Sequence, residues 1–137
     1  AGAGASVAVN YRKDQESALE TVAAIEAAGG TARAYQASVT NADENERMVA
    51  DVIADFGRLD ILIQNGGIAS RGLSVAETTA EELARVVGTH ALGPHQLASV
   101  AIPAMRENAR SDMVFVSSVA TLSHGANGAP RVHRRGC

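Results

Sequence analysis

At 137 residues, with 46% hydrophobic and 20% charged side chains, the chain has the composition of one soluble globular domain or part of a larger one. A formal charge of −3, with arginine clustered only in the last few residues, leaves no basic face for nucleic acid. The single cysteine, Cys137, excludes an internal disulfide and a cysteine-built metal cage; with no apolar run of ~18 residues and no signal pattern at the start, no membrane association and a cytoplasmic setting are expected.

Short runs rich in Val and Ile alternate with longer helical patterns. Residues 6–10 (SVAVN) read as a buried strand. A helix follows over 14–28, with Ala18, Leu19, Val22 and Ile25 on one stripe, and Gly29-Gly30 stops it. Residues 31–36 form a second, weaker strand. Asn41 or Asp43 then caps a helix running to about Phe56, with Met48, Val49, Val52, Ile53 and Phe56 on its buried face. Gly57 breaks it, and 59–63 (LDILI) make a third strand. After a glycine-bearing loop, Thr78 or Thr79 starts a long helix over 79–107, with Leu83, Val86, Val87, Ala91, Leu97 and Val100 inward. Pro94 and Pro103 predict a kink or break in it. Residues 113–116 (MVFV) are the fourth strand, and 131–137 fit no element.

Strand–helix repetition with near-continuous apolar strands predicts an α/β fold, a doubly wound parallel sheet with helices on both faces. Ligands in such sheets bind beyond the carboxyl ends of the strands. The residues there are Asn10-Tyr11-Arg12, Ala37-Ser38-Val39, Gln64-Asn65-Gly66-Gly67 and Ser117-Ser118. No strand ends in the paired acidic residues of a phospho-receiver, and His95, His124 and His133 have no partners at metal-ligand spacing, so no metal site is expected.

These four groups resemble, in order and spacing, segments of the short-chain dehydrogenase/reductase family, nearest its 3-oxoacyl-carrier-protein-reductase-like branch. QNGGI (64–68) is similar to the family's Asn-Asn-Ala-Gly segment, and VFVSSVA (114–120) to its strand and serine turn. GGTARAYQASVTN (29–41) resembles its third strand and adenine-contacting turn, and AGAGASVAVNYR (1–12) the end of its first helix and its second strand. The resemblance implies a partial Rossmann-type dinucleotide-binding domain over 1–130 with an unassigned tail over 131–137, lacking the first strand and the C-terminal part. It implies an NAD(P)-dependent oxidoreductase moving hydride between NADPH and a ketone or secondary alcohol.

Cofactor contacts are expected from Asn10, Tyr11, Arg12, Ser38, Val39, Asn65, Gly66 and Gly67. Asn65 would bridge neighbouring strand ends, and Gly66 and Gly67 would let backbone approach the ligand. Arg12, with no carboxylate at that strand end, points to the 2′-phosphate of NADP, with NAD as the alternative. Ser118 stands where the family serine bonds the substrate carbonyl. His90, in THALG (89–93), stands where the family has an asparagine holding a relay water; a partly buried structural histidine is the other reading.

The family pattern also fails in places. AGAGA (1–5) precedes a strand rather than following one, so it is no phosphate loop, and the glycine-rich turn is expected ahead of Ala1. Counting thirteen residues on from Ser118 puts Arg131 and Arg135 where the family's Tyr-x-x-x-Lys pair belongs. Arginine cannot replace a phenolic general acid, so an inactive fragment is expected. The alternative function is a non-catalytic α/β module binding a partner through the long helix, which in the family also packs against a second subunit.

Overall fold

Three side-chain caps set the helix starts in the computed structural model, which describes residues 1–118. Asp14 accepts from Ser17 N (3.1 Å) and Ser17 Oγ (2.8 Å) and opens α1 (Gln15–Ala27) after β1 (Ser6–Tyr11). Gly29, at φ +79°, turns the chain into β2 (Thr31–Gln36). Asn41 Oδ1 accepts from the amides of Asp43 and Glu44 and opens α2 (Ala42–Phe56), which Gly57 closes in the left-handed conformation. β3 (Ile61–Gln64) follows. Thr79 Oγ1 accepts from Glu82 N (3.2 Å) and starts α3 (Ala80–Val87). A π-helical turn over Gly88–Leu92 leads into α4 (Gly93–Met105), and β4 (Asp112–Phe115) completes the described elements.

β1 pairs with β2 in parallel from Ser6↔Thr31 to Tyr11↔Gln36, and β3 with β4 in parallel from Ile61↔Asp112 to Gln64↔Phe115. These are two separate two-stranded sheets. Among the described residues no strand joins β1 to β3, so each keeps one unpaired edge. The third strand begins at Ile61 rather than Leu59, because the Leu59 carbonyl accepts from the Asn108 side chain (2.8 Å).

Helices lie on both faces of the β1–β2 sheet. Arg33 and Tyr35 of β2 both reach Asp55 of α2, the phenol donating over 2.8 Å, and the Tyr35 ring meets Phe56 edge-on at 6.4 Å. Ala32 and Ala34 point the other way by the strand's alternation, and α1 is the other helix packed on this sheet. α2 packs against α4 through Asn45, Val49 and Val52 on one side and Gly93, Leu97, Ala101 and Met105 on the other, all buried. That helix pair joins the half of the chain that holds β1 and β2 to the segment that leads into β4.

Two helix stripes differ from expectation. Leu19 of α1 is half exposed, leaving Ala18 as that helix's buried residue. In α3, Leu83 and Val87 are exposed, and the buried residue is Glu82. The break expected at Pro94 takes the form of the π turn. Gly93 N donates to Gly88 O, five residues back, and Pro94 has no amide to donate. At Pro103 the helix does not break; it ends two residues later at Met105.

Candidate functional site

Parallel pairing sends the ends of β1 and β2 out on one side of their sheet, and those of β3 and β4 on one side of theirs. At the first pair, Asn10 Nδ2 donates to the carbonyls of Tyr35 (3.2 Å) and Ala37 (3.1 Å), and Ala37 N donates to Tyr11 O (3.0 Å). Asn10 therefore laces the two strand ends together. This is the bridge expected of Asn65, whose side chain makes no hydrogen bond among the described residues. Gln36 Nε2 donates to the Arg12 carbonyl (3.2 Å), which fixes the Arg12 backbone, while its guanidinium enters no ion pair among the described residues.

The turn after β2 is held from α2. Glu44 Oε2 accepts from Ser38 N (2.7 Å), and Ser38 Oγ meets Thr40 Oγ1 at 3.0 Å. Asn45 Nδ2 donates to Val39 O (2.9 Å), and the Asn45 side chain is fully buried with its Oδ1 unpartnered. Gly93 closes on the same carbonyl: a Cβ there would lie 2.7 Å from Val39 O. A cleft of about 690 Å³ opens beside this turn, lined by Arg12, Lys13, Ser38, Glu44 and Arg47 among others.

At the second pair, Val116 N donates to Gln64 O (2.9 Å), so pairing runs one bond past β4 and brings the Asn65–Gly66–Gly67 loop beside Ser117 and Ser118. Gln64 Nε2 donates to Gly66 O (3.2 Å). His90, in the π turn, sets its Nε2 2.8 Å from Ile68 O and 3.2 Å from Ile68 N. One tautomer donates to the carbonyl; the other accepts from the amide. The ring lies so close that a Cβ on Gly67 would be 2.9 Å from His90 Cε1. Here glycine admits a side chain of the chain itself.

Below that loop, Glu82 is an anchor that composition and periodicity did not reveal. Its buried carboxylate accepts from Arg85 (2.8 Å) and from Arg71 N (2.9 Å), with the Arg71 guanidinium 3.5 Å away. The Arg85 hydrogen bonds, then the Arg71 amide, hold its pKa down at about 2. Asn45 carried a readable signal, a polar residue in register with Val49 and Val52. Arg131 and Arg135, with the rest of 119–137, lie outside the described residues. Among those described, no group of three or more His, Cys, Asp or Glu could hold a metal ion, and no helix is long and apolar enough to cross a membrane.

Strand ends that gather Asn10, Arg12 and Ser38 on one side and Asn65, Gly67, His90 and Ser118 on the other define a Rossmann-type α/β protein. The model of the short chain dehydrogenase family matches residues 1–130. The chain belongs to that family. It is 35% identical over 127 residues to a 3-oxoacyl-(acyl-carrier-protein) reductase of Staphylococcus aureus, covering 93% of this chain and 50% of the relative. A short chain dehydrogenase/reductase of Aspergillus aculeatus is 36% identical over 115 residues, covering 84% of this chain and 42% of the relative. Among solved structures, a short chain dehydrogenase from Burkholderia cenocepacia in complex with NADP superposes with a TM-score of 0.84 at 28% identity, over 93% of this chain and 51% of that one. The chain thus spans about half the length of the curated relatives it matches.

Proposed function

We propose that these residues form the adenosine-side and carbonyl-side walls of a nicotinamide dinucleotide site, in an oxidoreductase that moves hydride between NADPH and a ketone or secondary alcohol. The observation that carries this reading is the strand-end arrangement. An arginine with no ion-pair partner among the described residues lies on a cleft at the β1–β2 end, and the glycine loop meets His90 at the β3–β4 end, where the paired chain leads on to Ser118. The donor set fits a phosphorylated adenosine: the strand end carries the two cations Arg12 and Lys13, while Glu44 of α2 holds the facing turn through Ser38 N and Asn41 Nδ2.

When bound, the nicotinamide supplies or accepts the hydride. Arg12 binds the 2′-phosphate and so selects NADP over NAD. Asn10 keeps the strand ends rigid under the adenosine, and the Ser38–Val39 turn, clamped by Glu44 and Asn45, supplies the wall beside it. Ser118 donates to the substrate carbonyl oxygen and orients it. His90 positions the loop: its Nε2 is engaged by Ile68, which favours a structural role, although the residue is exposed rather than partly buried. Leu83, Val87 and Leu92, exposed on the α3 side of the long helix, support a subunit contact there.

The test replaces the matching segment of a full-length family member with residues 1–118 and follows reduced-nicotinamide absorbance with a panel of ketones. Turnover that falls about 10²-fold or more in Ser118→Ala is expected. A chimera that folds, binds NADPH and is indifferent to Ser118→Ala would overturn the assignment.

A further inference from the structure

Among the described residues, just over half of the arginine and lysine side chains are in ion pairs with carboxylates. Nine lie within residues 1–118, and Arg33, Arg58, Arg71, Arg85 and Arg110 are in ion pairs. The remaining four are Arg12, Lys13, Arg47 and Arg106, and three of these line the cleft of about 690 Å³ beside β2 and α2, with Lys13 also edging a second cleft beside α1. Arg47 has Asp43 one turn before it and Asp51 one turn after, the spacing at which helical ion pairs form. It pairs with neither carboxylate. Its Nε donates instead to the Asp43 carbonyl (3.3 Å).

The cleft also carries two carboxylates, fewer than its cations. Glu44 has both oxygens occupied, Oε2 by Ser38 N at 2.7 Å and Oε1 by Asn41 Nδ2 at 2.9 Å. Asp51 is the other carboxylate on the lining. Three cations without ion-pair partners among the described residues therefore face two carboxylates, which leaves a net positive cleft of the size that takes a nucleotide. A phosphate monoester, carrying close to two negative charges and three acceptor oxygens, matches that balance, and guanidinium forks bind it bidentately.

We propose that Arg47 is a second guanidinium of the 2′-phosphate seat, reading from α2 the same phosphate monoester that Arg12 reads from the end of β1, with Lys13 adding charge beside them. This rests on the NADP reading of Arg12 and extends it to a residue thirty-five positions away that strand-end logic does not reach.

The test titrates the 137-residue chain with adenosine 2′-monophosphate and, separately, adenosine 5′-monophosphate, using NMR shifts or calorimetry. The chain should bind the 2′-phosphate more tightly. Arg47→Gln should weaken 2′-monophosphate binding about tenfold and 5′-monophosphate binding less than about twofold, as loss of one charge-assisted contact predicts. Arg47→Lys should recover part of the loss, and Arg47→Met repeats the test if circular dichroism shows the glutamine variant unfolded. Loss of the preference in Arg12→Gln but not in the Arg47 variants overturns the proposal and leaves the Arg12 reading standing. A chain that does not distinguish the two nucleotides, or binds neither at millimolar concentration, overturns both.

Discussion

Gly67 and His90 constrain each other, because the imidazole occupies the space a Cβ at 67 would fill, with 2.9 Å to Cε1. Gly67→Ala should cost about 1–3 kcal/mol, the usual penalty of overpacking, and little in a His90→Asn background. Denaturant melts of the two single variants and the double variant measure that coupling; additive losses would show that the contact does not matter. The sequence marked both residues through family resemblance, but not their contact, since twenty-two residues separate Ile68 from His90. Asn65 and Asn10 show a similar limit. Both were visible at strand ends, yet which amide spans neighbouring strands depends on pairing, and the pairing puts Asn10 against Tyr35 and Ala37. Glu82 carries a pH prediction. Its folded pKa of about 2 lies below the ordinary 4.5, so its contribution is present above about pH 4.5 and lost as pH falls toward 2. Glu82→Gln should flatten the fall in stability across that window, read from melts at stepped pH; an unchanged slope would contradict it.

The strands were legible because each is a short apolar run between glycine and capping residues, and all four appear within two residues of where periodicity puts them. The long helix was not, because one helical wheel cannot describe it. The Gly88–Leu92 turn changes the hydrogen-bond step from four residues to five, so α3 and α4 do not share the stripe that Leu83, Val87 and Leu97 suggest. Inward positions fall at Gly93, Leu97, Ala101 and Met105. Where α4 meets α2, Asn45 is the polar residue in the seam, donating to Val39 O with its own Oδ1 orphaned. Asn45→Asp would lose that donor and bury an unpaired carboxylate, so a loss of about 3 kcal/mol or more is expected, together with a raised aspartate pKa. Stability equal to the parent chain would show that the seam is open to water.

Two separate two-stranded parallel sheets make a weaker platform than one continuous sheet. Among the described residues β1 and β3 each keep an unpaired edge, and Ile61, Ile63 and Val114 lie 53%, 62% and 46% exposed on one apolar face. A purified 137-residue chain should be marginally stable, prone to self-association, and silent toward ketones with NADPH. Counted from Ser118, Arg131 falls where the family's tyrosine proton donor is expected and Arg135 where its lysine is expected, and general acid catalysis alone supplies ~10²–10⁴-fold. Ketone-dependent oxidation of NADPH that tracks monomeric chain would contradict this. The central claim, that the β1 end reads the 2′-phosphate, is tested most directly in the full-length chimera by comparing Arg12→Ala with its parent for both cofactors. Losing a charge-assisted phosphate contact should weaken NADPH binding roughly ten- to a hundredfold and NADH binding by less than about twofold. Equal losses for the two cofactors would show that Arg12 is not the reader.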